Sequence, residues 1–176
     1  MSETFDSIHV VPEKKEEKQY YMPGDIVTVN ILNADIGRKC TFKTETSICQ
    51  ILNIGVGTAK IRLKGDKTVW TVKLEKIHPL LITPDILQGI GFELYEGGGD
   101  TKTLWRGCGE DCEDDVEFDF GEFDDDITLK IDKSGLYMHT QDVKYVHQAQ
   151  HLFKEHGLED WAESLEKCLF QDQDHL

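Results

Sequence analysis

The most concentrated chemistry in this sequence is a run of carboxylates in its second half. Eleven of the seventeen residues at positions 110–126 are Asp or Glu, and none is Lys or Arg. Carboxylate oxygens suit calcium, but the spacing is not that of an EF-hand, because Phe120 stands where the loop needs glycine. A metal site stays one alternative, and the others are a surface that attracts a basic partner and a solvated loop and strand. The acids assigned to partner binding are Glu113, Asp114, Asp115, Asp124, Asp125 and Asp126.

Thiols and imidazoles supply two further pairs of candidate ligands, and neither pattern is complete. Cys108 and Cys112 have the spacing of half a zinc site, but no second pair accompanies them, so redox pairing and inert thiols are the alternatives. His147 and His151 would share one face of a helix. A metalloprotease pattern needs glutamate at position 148, where the sequence has glutamine. We therefore expect surface histidines, and neither a metal nor a cofactor.

A weakly basic segment lies before the acidic stretch. Between residues 20 and 78 the sequence has nine Lys or Arg and five Asp or Glu. Lys60, Arg62 and Lys64 alternate and would form a basic row on one face of a strand. With aromatic residues nearby, such a row predicts weak nucleic-acid contact. The alternative is an ordinary outward face, opposite the inward-pointing Ile61 and Leu63.

The common sequence motifs of catalysis do not occur. The sequence has no G-x-S-x-G, and its only run of glycines, at 97–99, lacks the Lys-Ser/Thr continuation of a phosphate-binding loop. This absence favours a non-catalytic protein, and an enzyme is the minority hypothesis.

The net charge of −15 is divided unevenly along the chain. Residues 1–82 carry 12 basic and 10 acidic side chains, whereas residues 83–176 carry 7 and 24. The second half would be repelled by nucleic acids and anionic membranes, so we expect a basic protein partner and no membrane. A polar, acidic beginning and an odd number of cysteines, five, predict a cytoplasmic location with reduced thiols.

The elements that would position these residues fall into two units. Residues 1–19 read as a flexible polar arm, and residues 20–80 predict an SH3-like β-barrel. Five short β-branched runs separated by Gly and Asp turns indicate that barrel, at residues 26–31, 40–43, 47–54, 58–63 and 68–74.

The second predicted unit is an acidic α+β domain at residues 81–170, followed by a frayed tail at 171–176. An antiparallel sheet with two or three helices is expected, because alternating strands at 103–106, 116–120, 127–131 and 136–139 precede two apolar helical stripes. Thr83 and Pro84 have the residue types that begin a short helix. The later helices are predicted from Asp142 to Glu155 and over residues 158–170.

Two segments resemble a known family. IHPLLITPDILQGIGF at residues 77–92 is similar to a segment with the pattern I-x-P-I-x-L-T followed by a leucine pair and G-F. VKYVHQAQHLF at residues 143–153 is similar to a helix containing YVHQLQ. Both segments occur, in this order, in a family of uncharacterised short proteins from gut-dwelling anaerobic bacteria and their phages and mobile elements. The resemblance covers about residues 23–153 and implies the domain layout and a bacterial or phage origin, but no activity.

These patterns together favour one function class over two others. The leading hypothesis is a non-catalytic interaction or regulatory module, encoded by a mobile element, whose acidic domain engages a basic protein partner. The first alternative is a nucleic-acid-associated accessory protein that uses Lys60, Arg62 and Lys64. The second alternative is a metal-dependent enzyme built on the acidic stretch.

Overall fold

A computed structural model of the chain describes residues 20–32, 44–95, 103–108, 114–120, 127–133 and 136–170. They form two five-stranded antiparallel sheets and three α-helices, an α+β architecture. The polar arm, the tail, the predicted strand at 40–43 and most of the acidic stretch lie outside the described residues. None of the described helices is both long enough and apolar enough to cross a membrane.

The first sheet contains the strands of the predicted barrel unit in the order β4-β3-β2-β1-β5. Its edge strands β4 and β5 form no pair with each other among the described residues, so the described sheet is open. A short 3-10 helix, Leu74–Lys76, connects these two edge strands along the chain. The strands are β1 (Ile26–Leu32), β2 (Thr44–Ile54), β3 (Thr58–Leu63), β4 (Val69–Lys73) and β5 (Ile77–Pro79).

Alternation along the strands gives the first sheet a core of its own. Val27 on β1 is aligned with Cys49 on β2, Val29 and Ile51 belong to the same core, and all four are fully buried. Side chains alternate between the two faces of a strand, so the residues next to Val27 point to the opposite face. Ile26 therefore points away from this core and belongs to the core beneath the second sheet.

The second sheet is an antiparallel meander in the order β10-β9-β8-β7-β6, as its alternating strands predict. Val116 and Phe118 on β8 pair with Ile131 and Leu129 on β9, and these side chains are buried on the inner face. The edge strand β6 was not predicted from the sequence. The strands are β6 (Glu93–Tyr95), β7 (Thr103–Cys108), β8 (Asp114–Phe120), β9 (Ile127–Lys133) and β10 (Leu136–Asp142).

The three helices begin at, or close to, the predicted residues. Helix α1 (Pro84–Gly89) is capped by Thr83, whose Oγ1 accepts a hydrogen bond from the Ile86 amide. Helix α2 (Val146–Glu155) ends before Gly157, whose φ of +70° is in the left-handed region. Helix α3 (Glu159–Phe170) follows directly.

The predicted cap of α2 is wrong. Asp142 ends strand β10, and α2 begins four residues later, after Tyr145. The intervening Val143 is fully buried, and its amide donates to the Ile127 carbonyl, which continues the sheet contact. The side chain of Gln148 satisfies the free amides instead, since its Oε1 accepts from the amides of residues 144 and 145.

Helices α2 and α3 contribute to a core that also includes residues of both sheets. Val146 and Phe153 of α2 and Leu165 of α3 are buried with the inner face of the second sheet, and Ile26 of the first sheet joins the same core. The division into two units at residue 80 stays a prediction, but apolar burial is continuous across it.

A polar network adds to this junction. The Gln50 side chain donates to Glu166 on α3 at 2.9 Å and accepts from Arg62 at 2.8 Å. The Arg62 guanidinium also lies 5.2 Å from the centre of the Phe170 ring, at cation–π distance. The outward face of the first sheet is therefore partly covered by α3.

We expect Gly107→Ala to destabilise the chain. A Cβ at position 107 would lie 2.6 Å from Trp161 Cη2 and 2.9 Å from two carbons of the Phe92 ring, and these rings pack with their centroids 4.6 Å apart. Overpacking of this kind costs about 1–3 kcal/mol. Denaturant unfolding checks the change in free energy. Gly55→Ala is the control, because its Cβ would meet nothing nearer than 3.4 Å. Equal stabilities of the two variants would show that the Trp161–Phe92 packing is loose.

Candidate functional site

The outward face of the second sheet carries about half of the described charged side chains in the C-terminal half. Alternation that buries Val116 and Phe118 turns Asp115, Glu117 and Asp119 to the other face. The antiparallel register places further carboxylates beside them on neighbouring strands. We call this surface the acidic face, and its carboxylates are Glu93, Asp115, Glu117, Asp119, Asp132 and Asp142.

Two cations lie among these carboxylates, in one row across the sheet. The register aligns Glu93, Arg106, Glu117 and Lys130 on four adjacent strands. Arg106 donates to Asp115, and Lys130 Nζ lies 3.4 Å from Asp119 Oδ2. The acidic stretch at 110–126 has no basic residue of its own, and the strands on either side of β8 supply the cations.

The rows on either side of this central row have carboxylates without an aligned cation. Asp115 stands directly opposite Asp132, an arrangement of like charges that destabilises a sheet. Asp132 Oδ1 is enclosed and accepts no hydrogen bond from any described residue. On the other side, Asp119 and Asp142 are each aligned with Thr128. The exposed acceptor capacity of these two rows therefore lies with Asp142, because Asp132 Oδ1 is enclosed.

Of the six acids assigned to partner binding, the structure locates one side chain. Asp115 is half-buried and bonded to Arg106. Asp114 begins strand β8. Glu113, Asp124, Asp125 and Asp126 lie outside the described residues.

The predicted basic row is only partly available to a ligand. Lys60 and Lys64 are exposed, as expected for an outward strand face. Arg62 between them is held by Gln50 and lies over Phe170. The row therefore presents two exposed lysines and one arginine that already has intramolecular partners.

The expectation of two surface histidines is wrong for His147, whose exposed fraction is 2%. Its ring packs against Tyr21, with centroids 5.1 Å apart, and is stacked on Tyr145 at 5.9 Å. Helical spacing alone placed position 147 on the polar side of α2. The structure buries it because the segment before β1 packs on that side of the helix.

His151 is held by a buried carboxylate. Asp25 is 2% exposed, and its Oδ1 lies 2.7 Å from His151 Nε2, while its Oδ2 accepts from the Met22 amide at 2.7 Å. A carboxylate that orients an imidazole is also found in general bases. In this structure the contact joins α2 to the residue before β1.

Burial dominates the titration of this cluster. It lowers the pKa of His147 to about 4, although Asp25 opposes the shift and His151 adds to it. Burial also raises the pKa of the Tyr21 phenol to about 12, with Tyr145 and Asp25 contributing. At neutral pH both side chains are uncharged, which suits their place in a packed junction.

The thiols and acids in the described part of the chain show no metal-binding arrangement. Within the described ranges, no three His, Cys, Asp or Glu side chains come together as a group that could hold an ion. Cys49 is free and buried, and burial raises its pKa to about 12, so it is a poor ligand and nucleophile. The side chains of Cys108 and Cys112 lie outside the described residues.

Arg106 and Lys130 are the functional candidates that sequence reasoning missed. A signal for them existed, since both occupy outward positions of alternating strands. Their place beside the acids depends on register, and the connections at residues 109–113 and 121–126 contain no recognisable two-residue turn that would set it.

Comparison with known proteins identifies no family for this chain. No protein-family model, curated protein or solved structure matches this chain.

We expect His147 to reduce stability in acid. Because its pKa is about 4 in the folded chain and 6.5 ordinarily, the unfolded chain takes up the proton first as the pH falls. The free energy of unfolding therefore begins to fall near pH 6.5 and is about 2 kcal/mol lower by about pH 5. His147→Phe should remove that part of the loss, measured by denaturant unfolding at neutral pH and at about pH 5.

The matched control is His78→Gln, which alters an exposed imidazole on β5. This variant should keep the pH dependence of the unaltered chain. If His147→Phe loses as much stability between neutral pH and about pH 5 as the unaltered chain does, groups other than His147 cause the decrease.

Proposed function

We propose that this chain is a non-catalytic interaction module that binds a basic protein partner through the acidic face of its second sheet. One observation carries the proposal. Six carboxylates, of which Asp119 is buried, and two cations occupy one sheet face, and the half-buried Asp115 and Asp132 stand directly opposite each other. Cations supplied by a partner would relieve that repulsion.

The charge of the C-terminal half supports the same class of partner. Residues 83–176 have 24 acids and 7 bases, so the field around the acidic face repels phosphate groups. A lysine- or arginine-rich protein would be steered to this face, and its association rate would depend strongly on salt. Carboxylates held on a sheet also lose less conformational entropy on binding than carboxylates on a flexible segment would.

The two other function classes have less support. Nucleic-acid binding through the first sheet would depend on Lys60 and Lys64, because Arg62 is engaged with Gln50 and Phe170. A metal-dependent enzyme would need ligands that converge, and the described carboxylates of the acidic face instead form rows along a flat surface.

The finer fold assignment is also part of this proposal. We infer that the first sheet is an SH3-like barrel. The order β4-β3-β2-β1-β5, the 3-10 helix between β4 and β5, and a core separate from that of the second sheet support this assignment. We infer a cytoplasmic location from the free thiols of Cys49 and Cys168. A bacterial or phage origin is proposed on the resemblance alone.

We expect Asp115→Asn/Asp132→Asn to weaken binding of a basic probe, a ten-residue oligolysine peptide. Loss of two carboxylates from the face should raise Kd about 3- to 10-fold at low salt. Titration calorimetry between about 50 and 300 mM NaCl gives the Kd and its salt dependence, which should become less steep.

The control is Glu159→Gln/Asp160→Asn, which removes the same charge from exposed positions on α3. This variant should bind the peptide almost as the unaltered chain does. If both double variants weaken binding equally, the peptide responds to net charge and the acidic face is not the site.

A wider neutralisation tests the acids that sequence analysis singled out. Changing these acids to Asn or Gln should leave the melting temperature unchanged or slightly higher, because like-charge repulsion decreases. Binding of the oligolysine peptide should fall further. Millimolar calcium or magnesium should leave the melting temperature of the unaltered chain unchanged, and a large increase would favour a metal site. The acids changed are Glu113, Asp114, Asp115, Asp124, Asp125 and Asp126.

A further inference from the structure

Strand β6 is an edge of the second sheet with exposed apolar side chains. It pairs with β7 on one side, and no described residue pairs with its other side. Leu94 and Tyr95 are 49% and 52% exposed, and Glu93 is also exposed. Edge strands usually carry lysine, proline or a bulge that prevents further pairing, and β6 has none of these.

The register of the sheet specifies what a strand added beside β6 would meet. Glu93 is the first residue of the row that continues through Arg106, Glu117 and Lys130 on the outward face. A residue opposite Glu93 would extend that row, so a cation there continues the alternation of charge. Leu94 is aligned with the buried Trp105 and points to the inner face, where an apolar residue would cover it.

Tyr95 points to the same face as Glu93, two residues away. A lysine or arginine opposite Tyr95 could lie over its exposed ring, a favourable cation–π contact. The three positions of β6 therefore favour a basic–apolar–basic sequence in an extended conformation.

We propose that the basic partner docks by adding one extended basic–apolar–basic segment to the second sheet along β6. This inference rests on the proposed function and names its mode of binding. Backbone hydrogen bonds to β6 would fix the segment in place, and the acidic face would attract its cations. A three-residue edge offers few backbone bonds, so both contributions are needed for stable binding.

Charge and chemistry distinguish β6 from the other described edges. Strand β4 has one exposed valine, Val69, but its exposed Lys73 would repel a basic segment. Strand β5 ends at Pro79, which has no amide hydrogen to donate. The described side chains of β10, at 140–142, are polar or acidic and offer no apolar contact.

A second copy of this chain is not the favoured occupant. Among the described strands, the basic–apolar–basic pattern of Lys60, Ile61 and Arg62 lies in β3, which already pairs with β2 and β4. Each copy also has a net charge of −15, so close approach of two copies is opposed.

Three peptides test the proposal: an alternating Lys-Val octapeptide, the same peptide N-methylated at its lysine amides, and one N-methylated at its valine amides. The amides of alternate residues face one edge of an extended strand, so each methylated peptide loses hydrogen-bonding capacity on one edge only. All three carry the same charge. We expect one methylated peptide to bind more than about tenfold more weakly and the other to bind nearly as well as the parent.

Hydrogen exchange and two variants supply readouts independent of peptide chemistry. The parent peptide should slow amide exchange at residues 93–95. Leu94→Thr/Tyr95→Thr, which keeps β-forming residues, should raise the Kd of the parent peptide about threefold or more. Val69→Thr, a similar change at the edge of the first sheet, should leave it unchanged.

The outcomes separate this inference from the proposed function. If all three peptides bind equally, or both methylated peptides weaken alike, strand addition is wrong. If Asp115→Asn/Asp132→Asn still weakens binding in that case, the proposed function stands. If methylation acts on one edge but the neutralised variant binds normally, β6 accepts strands without regard to charge, and the basic partner is wrong. A concentration-dependent dimer in sedimentation that the peptide dissociates would assign β6 to a second copy.

Discussion

Burial of alternate residues on β8 is the constraint on which the acidic face depends. Val116 and Phe118 are fully buried between the neighbouring strands and the helices. Because side chains alternate along a strand, Asp115, Glu117 and Asp119 have no other direction than outward. A slip of one residue would turn these three carboxylates toward the apolar core and turn the apolar residues away from it. The core therefore sets the position of every charge on the opposite face.

Repulsion between carboxylates on the acidic face destabilises the second sheet, and burial of the apolar core beneath it offsets this destabilisation. Asp115 opposite Asp132 costs free energy. The exposed Arg106–Asp115 pair contributes little stability against this cost, whereas the Lys130–Asp119 pair is partly buried. Apolar burial beneath the sheet supplies far more per residue. Such an arrangement is what an interface would require, since charges that are not fully paired within the chain remain available to a partner.

The junction between the sheets uses a different kind of contact. Helices α2 and α3 share their apolar core with the second sheet and with Ile26. Polar contacts next to this core also connect the two helices to the first sheet. Asp25 orients His151, and Gln50 connects Arg62 to Glu166. These contacts fill positions that looked like candidate sites, an imidazole pair and a basic row, with intramolecular partners.

The sequence by itself determined the local elements. Period-2 alternation marked β8 and β9, Thr83 marked the start of α1, and a 3.6-residue stripe marked the buried face of α2. Tertiary structure decided which elements became neighbours: that Arg106 and Lys130 flank the acids of β8, that β6 is an edge, and that His147 is buried beside a segment 126 residues before it. The physical reason is the distance along the chain over which the relevant contacts act. Periodicity reports which face of one element is apolar, whereas register and long-range pairing depend on how all the apolar faces are buried together.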